Sequence, residues 1–380
     1  MKAKKPAKKK PSSTVAATPL AKRAYARISH EALLGWYDRV RRDMPWRRTK
    51  DPYAIWLSEI MLQQTRVETV IAYWTKFMAK WPDARALANA PLDEVLAAWA
   101  GLGYYARARN LHVAAKKIRD EHGGVFPADA ESVRALPGVG RYTAGAILSI
   151  AFNKPEPLVD GNVVRVLSRL YALEGHAKDP KLHAECWAIA ELVLSLKRPG
   201  DFNQALMELG ATVCTPSKPK CDSCPVAPSC HAREQGRQEE IPATPPKAAR
   251  KHRTIEAAFV ERDGAILLVR RPDEGLLGGL WEMPSAERDG EPGAAAAKAL
   301  VNLGFEARPG ERVASVEHTF THFDMTLEAF ACEPSGSVKP GAAEFVLREK
   351  LADYGMGAAT KRAIEAALES RRQPSLFGRR

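Results

Sequence analysis

An all-α body followed by a smaller α+β domain is the architecture that this 380-residue sequence predicts. Three observations carry it. Apolar residues recur at helical spacing from about Ser29 to Ala211; the composition turns polar and proline-containing just after Cys230; and beyond residue 250 short apolar runs alternate around turn signals. The length alone calls for more than one core. With 45% hydrophobic and 27% charged residues the composition is that of a globular protein, and no apolar run approaches the length of a membrane span.

The helical body, residues 28–213, shows its period in EALLGWYDRV, in DPYAIWLSEIMLQQTRVETVIAYWTKFMAKW and in LDEVLAAWAGL. Asp51 is the expected N-cap of the second stretch and Pro52 its first helical residue. Pro45, Pro82, Pro91, Pro127, Pro137 and Pro157 punctuate the helices. Residues 214–230 hold four of the six cysteines, and 231–253 read as a linker. The second domain, 254–370, opens with TIEAAFVERDGAILLVRR, which predicts a hairpin around Asp263-Gly264. RVASVEHTF and MTLEAFAC read as further strands and KALVNLGF as a helix; 371–380 is a polar tail.

Charge is unevenly spread. Nine of the twelve net positive charges lie in residues 1–27, as seven lysines with Arg23 and Arg27 and no acid, leaving three for everything else. This basic segment is too polar to fold alone; it suits nonspecific DNA attraction and simple solubilisation equally. The start lacks the pattern of a signal peptide, so a soluble, cytoplasmic monomer is expected.

The cysteines are spaced C-x6-C-x2-C-x5-C: Cys214, Cys221, Cys224 and Cys230. Disulfides suit an exported chain, and isolated core thiols would not bunch between prolines and lysines. A C-x2-C pair also suits zinc. Four thiolates with unequal gaps in one loop suit a [4Fe–4S] cube, and the spacing leans to the cluster without excluding zinc. Upstream, LPGVGRYTAGAI places Gly138, Val139 and Gly140 between two helical stretches; GVG alone suits an ordinary Pro-Gly turn, and the same site lets backbone N–H groups and a helix N-terminus meet a phosphate.

Together these motifs resemble the helix-hairpin-helix DNA glycosylases, the superfamily of endonuclease III. SEIMLQQT and LVDGNVVRV narrow the resemblance to its A/G-specific adenine glycosylases, the MutY family. The resemblance implies one [4Fe–4S] cluster on the four cysteines, and double-stranded DNA carrying A:8-oxoguanine or A:G mispairs as substrate. It implies that Glu59 protonates adenine as general acid, and that Asp160, supported by Asn162 and Tyr142, meets the cationic sugar. On residues alone, Glu59 sits between Ile55 and Leu62 on an apolar face where desolvation favours a retained proton, though a buried Glu paired with an arginine is there the preferred reading; Asp160 in D-G-N reads as a turn or an N-cap. Tyr142 stands where endonuclease III-like lyases have a lysine, so base removal without strong strand cleavage is expected.

The resemblance further assigns Gln64 and Tyr104 to the space around the lesion, and Trp46, Arg47, Leu62 and Gln204 to the adenine pocket. Arg107 and Arg109 suit phosphate contacts. The second domain resembles a Nudix fold, with GLLGGLWEMP as its most similar stretch; AERDGEPGAAAAKALVNLGF lacks the Glu-rich magnesium helix, which excludes phosphohydrolysis and leaves lesion recognition. Phe320, Thr321 and His322 resemble the loop that reads 8-oxoguanine, where the family's usual Phe-Ser-His has Thr in place of Ser. Gln373, Leu376 and Phe377, in QPSLF, resemble a bacterial sliding-clamp-binding motif. An oxidised-pyrimidine lyase and a noncatalytic DNA-binding module are the competing functions.

Overall fold

The computed structural model describes residues 28–245, 249–272, 275–320, 322–336 and 343–372. The basic segment 1–27, Thr321 and the 373–377 motif lie outside the described residues. In chain order the helices are α1 (His30–Val40), α2 (Pro52–Leu62), α3 (Val67–Lys80), α4 (Ala84–Asn89), α5 (Leu92–Ala98), α6 (Ala106–Glu121) and α7 (Ala130–Arg134). They continue as α8 (Arg141–Phe152), α9 (Gly161–Tyr171), α10 (Pro180–Val193), α11 (Pro199–Thr212) and α12 (His231–Glu234). The C-terminal region adds strands β1 (Lys251–Phe259), β2 (Glu261–Arg262), β3 (Ala265–Arg270), β4 (Trp281–Glu282) and β5 (Ser285–Glu287). After these come helix α13 (Ala294–Asn302), strands β6 (Arg312–Thr319), β7 (Phe323–Ala331) and β8 (Glu344–Leu347), and helix α14 (Ala358–Arg372).

Packing divides the chain into two compact units, and the helical body is shared between them: Met1–Asp43 with Arg141–Pro245, and Met44–Gly140 with Pro246–Arg380. In the first, α11 packs against α1, α8 and α9. A Cβ at Gly210 of α11 would come 2.6 Å from the Asn162 Cβ, so only glycine lets α11 approach α9 this closely. Arg42 clamps the same helix, its Nε 2.7 Å from Oε1 of the buried Glu208. Residues 231–253 are less of a linker than their composition predicts. Residues 231–234 form α12, Ile241 is buried, and its carbonyl accepts from Arg169 Nε at 2.8 Å.

In the second unit α2 is buried along nearly its whole length, from Tyr53 to Met61, as a helix apolar on every side must be. Its start follows the sequence: the Asp51 carboxylate accepts from the Tyr53 N–H at 3.0 Å, with Pro52 at the first helical position. Edge-on aromatic pairs, Trp56 with Phe126 and Phe77 with Trp99, fill the space around it.

The sheets of the C-terminal region are ordered β5-β1-β7-β6 and β2-β3-β4, with β8 on β3. Here the structure corrects the hairpin reading. Asp263 and Gly264 do make a turn with positive φ at both residues, but the two-residue β2, not β1, is the strand that pairs back onto β3. β1 runs parallel to β7 and antiparallel to β5. Helix α14 covers one face with Ala363, Ile364 and Ala367 against Phe259 and Leu327; α13 covers the other, with Leu300 against Ala258 and Phe330. No helix among the described residues is long and apolar enough to cross a membrane.

Candidate active site

Asp160 is the N-cap of α9, with extended backbone at φ −106° and ψ −176°. Its Oδ1 accepts from the Val163 N–H at 2.7 Å, the bond that a capping carboxylate makes. Its Oδ2 accepts from Asn162 Nδ2 at 2.9 Å. Burial pushes the Asp160 carboxyl above the ordinary aspartate value, against the opposing pull of the Val163 and Asn162 hydrogen bonds and the Arg165 charge. The carboxylate is thus fixed in orientation yet short of solvation. Such an anion gains most when a cation forms beside it.

Asn162 is held in turn. Arg165 Nη2 donates to Asn162 Oδ1 at 2.8 Å and to the Gly210 carbonyl at 2.8 Å, while its Nε donates to the Cys214 carbonyl at 2.7 Å. A continuous set of hydrogen bonds therefore runs from the cysteine loop through Arg165 and Asn162 to Asp160. Tyr142, near the start of α8, directs its hydroxyl at Met207 Sδ, 3.4 Å away.

Cys214, Cys221, Cys224 and Cys230 wall one small cavity together with Arg169, Arg233 and Gln238. Arg169 is buried; it donates to Cys214 Sγ at 3.3 Å, to the Thr215 carbonyl at 2.7 Å and to the Pro216 carbonyl at 3.0 Å. Cys230 Sγ lies 3.5 Å from the Arg169 carbonyl oxygen. Burial, and then the charges of the other three cysteines, push the Cys224 thiol up to about 11. Among the described residues no group of three or more His, Cys, Asp or Glu is gathered closely enough to hold a single metal ion.

In the second unit Glu59 is 5% exposed on α2. The end of that helix is organised by Arg107, which is buried and corrects the expectation of a phosphate contact. Its guanidinium donates to the carbonyls of Ile60, Met61, Gln63, Leu102 and Gly103, at 2.5–3.1 Å, and to Thr65 Oγ1. Desolvation lowers the Arg107 guanidinium to about 10. Arg109 donates to the Gly278 carbonyl.

The two segments that Arg107 ties together present Gln64 and Tyr104, both with positive φ, at 57° and 48°. Neither is glycine, so each is a locally strained backbone held by its surroundings. Both line a cavity of about 610 Å3, and so do His318 of β6, Phe320 and His322 beyond it, and Phe323 at the start of β7. The turn between β6 and β7 is closed by the Phe320 N–H on the Phe323 carbonyl at 2.9 Å and by stacking of the two rings, 4.7 Å apart. The cavity gathers residues that lie more than 200 positions apart in sequence.

The remaining residues are less concentrated. Trp46 is buried edge-on to Trp74, and Arg47 and Leu62 are half-buried in the second unit. Gln204 belongs to the first, where its Nε2 donates to the Gly200 carbonyl of its own helix at 3.3 Å. In the hairpin, Gly138 has φ +77° and a Cβ there would lie 2.8 Å from Asn110 Cβ; Val139 is buried and Gly140 is exposed.

Residues 57–191 match the model of the HhH-GPD superfamily of base excision DNA repair proteins, and residues 257–366 match that of the NUDIX domain. The human adenine DNA glycosylase is 40% identical over 375 residues, covering 82% of this chain and 69% of that protein. That of Buchnera aphidicola from Acyrthosiphon pisum is 35% identical over 297 residues, covering 78% and 84%. The chain belongs to the adenine DNA glycosylase family. Among solved structures, a thermostable thymine-DNA glycosylase superposes with a TM-score of 0.50 at 32% identity, covering 54% of this chain and 94% of that one.

Within this family frame, sequence reasoning passed over Arg165 and Arg169 of α9. Their signal is present: two arginines four residues apart interrupt the mostly apolar VVRVLSRL and so share a helix face. The four thiols and the buried Arg169 guanidinium wall one cavity, a donor set compatible with a sulfur-ligated cluster. A single zinc ion would draw four sulfurs to within about 3.8 Å of one another, given Zn–S bonds of about 2.3 Å. The thiols here line a cavity wall, and a buried cation already faces one of them.

Proposed function

We propose that this base-excision-repair glycosylase removes adenine mispaired with 8-oxoguanine, and with guanine, and leaves an abasic site. The observation that carries the lesion specificity is the cavity where Gln64 and Tyr104 meet Phe320 and His322. It joins strained backbone next to α2 with an aromatic turn of the Nudix-like fold, and it is lined by an apolar, stackable surface with imidazole donors at its edge. The orphaned 8-oxoguanine is read here by Phe320 and His322, while the extruded adenine is received by Trp46, Arg47 and Leu62.

In the chemical step Glu59 delivers a proton to N7 of adenine, the C1′–N9 bond breaks, and its electron pair leaves with the base. Positive charge grows on the sugar. Asp160, fixed by Val163 and Asn162, stabilises that charge either as an ion pair or through a transient ester; water then adds at C1′ and returns a proton to Glu59. Tyr142 offers no amine for a Schiff base, so strand cleavage is at most weak. The Gly138–Gly140 hairpin holds a backbone phosphate through N–H groups.

Cys214, Cys221, Cys224 and Cys230 hold one [4Fe–4S] cluster, which supplies a redox-active cross-link of the loop and takes no part in the glycosidic step. Because burial favours the neutral thiols, loading the loop releases protons. The tail residues Gln373, Leu376 and Phe377 tether the enzyme to the sliding clamp on the nucleoid, in the cytoplasm. Single-turnover assays on A:8-oxoguanine, A:G and oxidised-pyrimidine duplexes, with alkali to reveal abasic sites, test the central reading. Adenine release from the first two supports it, and release of oxidised pyrimidine alone overturns it.

A further inference from the structure

Two side chains of the cysteine cavity remain unexplained by ligation. Arg169 is 2% exposed, yet among the described residues it ion-pairs with no carboxylate: its hydrogen-bond partners are a cysteine sulfur and three main-chain carbonyls, Cys214 Sγ, Thr215, Pro216 and Ile241. A buried guanidinium held against neutral carbonyls costs several kcal/mol in solvation unless an anion sits near it. Gln238 lines the same cavity, and its Oε1 is buried without a hydrogen-bond partner. A buried amide oxygen left unpaired is rare, and the two ends of an amide are assigned from the partners around them. Turned over in a cavity walled by anionic sulfurs, the amide would offer them an N–H, and the orphaned acceptor would disappear.

We infer that Arg169 and Gln238 are N–H···S donors to the cluster, and that they set its reduction potential rather than merely brace the loop. The inference rests on the cluster assignment above. Both residues act on charge. Donors directed at the sulfurs, and a buried positive charge beside them, stabilise the more negative, reduced form over the oxidised one, so they hold the potential up. Arg169 carries a full charge and contacts a ligand sulfur at 3.3 Å; Gln238 contributes a dipole only. Their effects therefore differ in size and share a sign. Arg169 has a second job, since it also ties 215–216 to residue 241, whereas the Oε1 of Gln238 bonds to nothing among the described residues.

The experiment compares wild type, Arg169→Met and Gln238→Leu as purified holoenzymes, with iron and sulfide counted per chain before any potential is read. Protein-film voltammetry then gives the potential. Both variants are expected to shift it to more negative values, Arg169→Met further than Gln238→Leu. Gln238→Leu decides the matter if Arg169→Met fails to fold or to load. An unmoved or more positive potential in a fully loaded Gln238→Leu overturns the inference and leaves the cluster assignment standing. Wild type that binds no iron and sulfide overturns the assignment and, with it, the inference.

Discussion

Arg165→Met removes a guanidinium that touches neither the base nor the sugar in the proposed chemistry, and the expected loss can be worked from three bonds. Arg165 reaches Asn162 Oδ1, the Gly210 carbonyl and the Cys214 carbonyl at 2.7–2.8 Å. Hydrogen bonds to a charged donor contribute about 1.5–3 kcal/mol each, and a half-buried site recovers part of that from water, which puts the destabilisation at about 3 kcal/mol. Methionine keeps most of the stem, so little of this is lost packing. The rate tells more. With Arg165 gone, Asn162 is free to rotate away from Asp160 Oδ2, and a misplacement on the order of 1 Å costs about 10²-fold in the chemical step. Urea denaturation gives the first quantity and single-turnover adenine release the second. Adenine release within about twofold of wild type, alongside the full stability loss, would make Arg165 a brace for the loop and refute its role in positioning Asp160.

Four further outcomes are expected. Because burial raises the Asp160 carboxyl, the native chain binds that proton more tightly than the unfolded one, and the group's stabilising contribution, complete in acid, is lost as pH rises through the folded value. Asp160→Asn should therefore abolish release while stabilising the fold by about 0.5–2 kcal/mol at neutral pH, a gain that closes on acidification when urea midpoints are compared across pH. Glu59→Gln should lower single-turnover release by about 10²- to 10⁴-fold with duplex affinity nearly unchanged in a filter-binding titration. Gly210→Ala drives a Cβ to within 2.6 Å of Asn162 and should cost about 1–3 kcal/mol, with a fall in kcat and little change in KM. Arg107→Met strands buried carbonyls at the end of α2 and should cost about 3–5 kcal/mol by thermal melting, with a larger rate loss on A:8-oxoguanine than on A:G duplexes.

Local chemistry made much of the fold legible. The Asp51-Pro52 start of α2 and the Asp263-Gly264 turn are written in residues whose preferences act over three or four positions. The course of β1 was not legible, because its neighbour β7 begins more than 60 residues later and nothing near β1 encodes a parallel partner. The division into units escaped for the same reason: α1 packs with helices that follow residue 141, and only the fold brings them together. Buried arginines are the harder case. Arg107, Arg165 and Arg169 look like the surface arginines of any polar helix face, and their carbonyl partners leave no mark in the sequence.

Asp160 shows how a structural reading and a chemical one can be the same reading. As an N-cap it spends Oδ1 on the Val163 N–H, which fixes the carboxylate plane relative to α9 and leaves Oδ2 the oxygen whose partner is a neighbouring side chain. A carboxylate free to rotate would present either oxygen and would draw water around both. The capping bond removes that freedom before any substrate arrives, and the helix end adds the positive field that keeps an under-solvated anion in place. The cost of burying the charge is met in the fold, and in the proposed chemistry it is repaid when an opposite charge develops on the sugar. A carboxylate that capped nothing would need another restraint to hold the same position, so D-G-N at a helix start is a sound place to put an anion that must wait, immobile, for a cation.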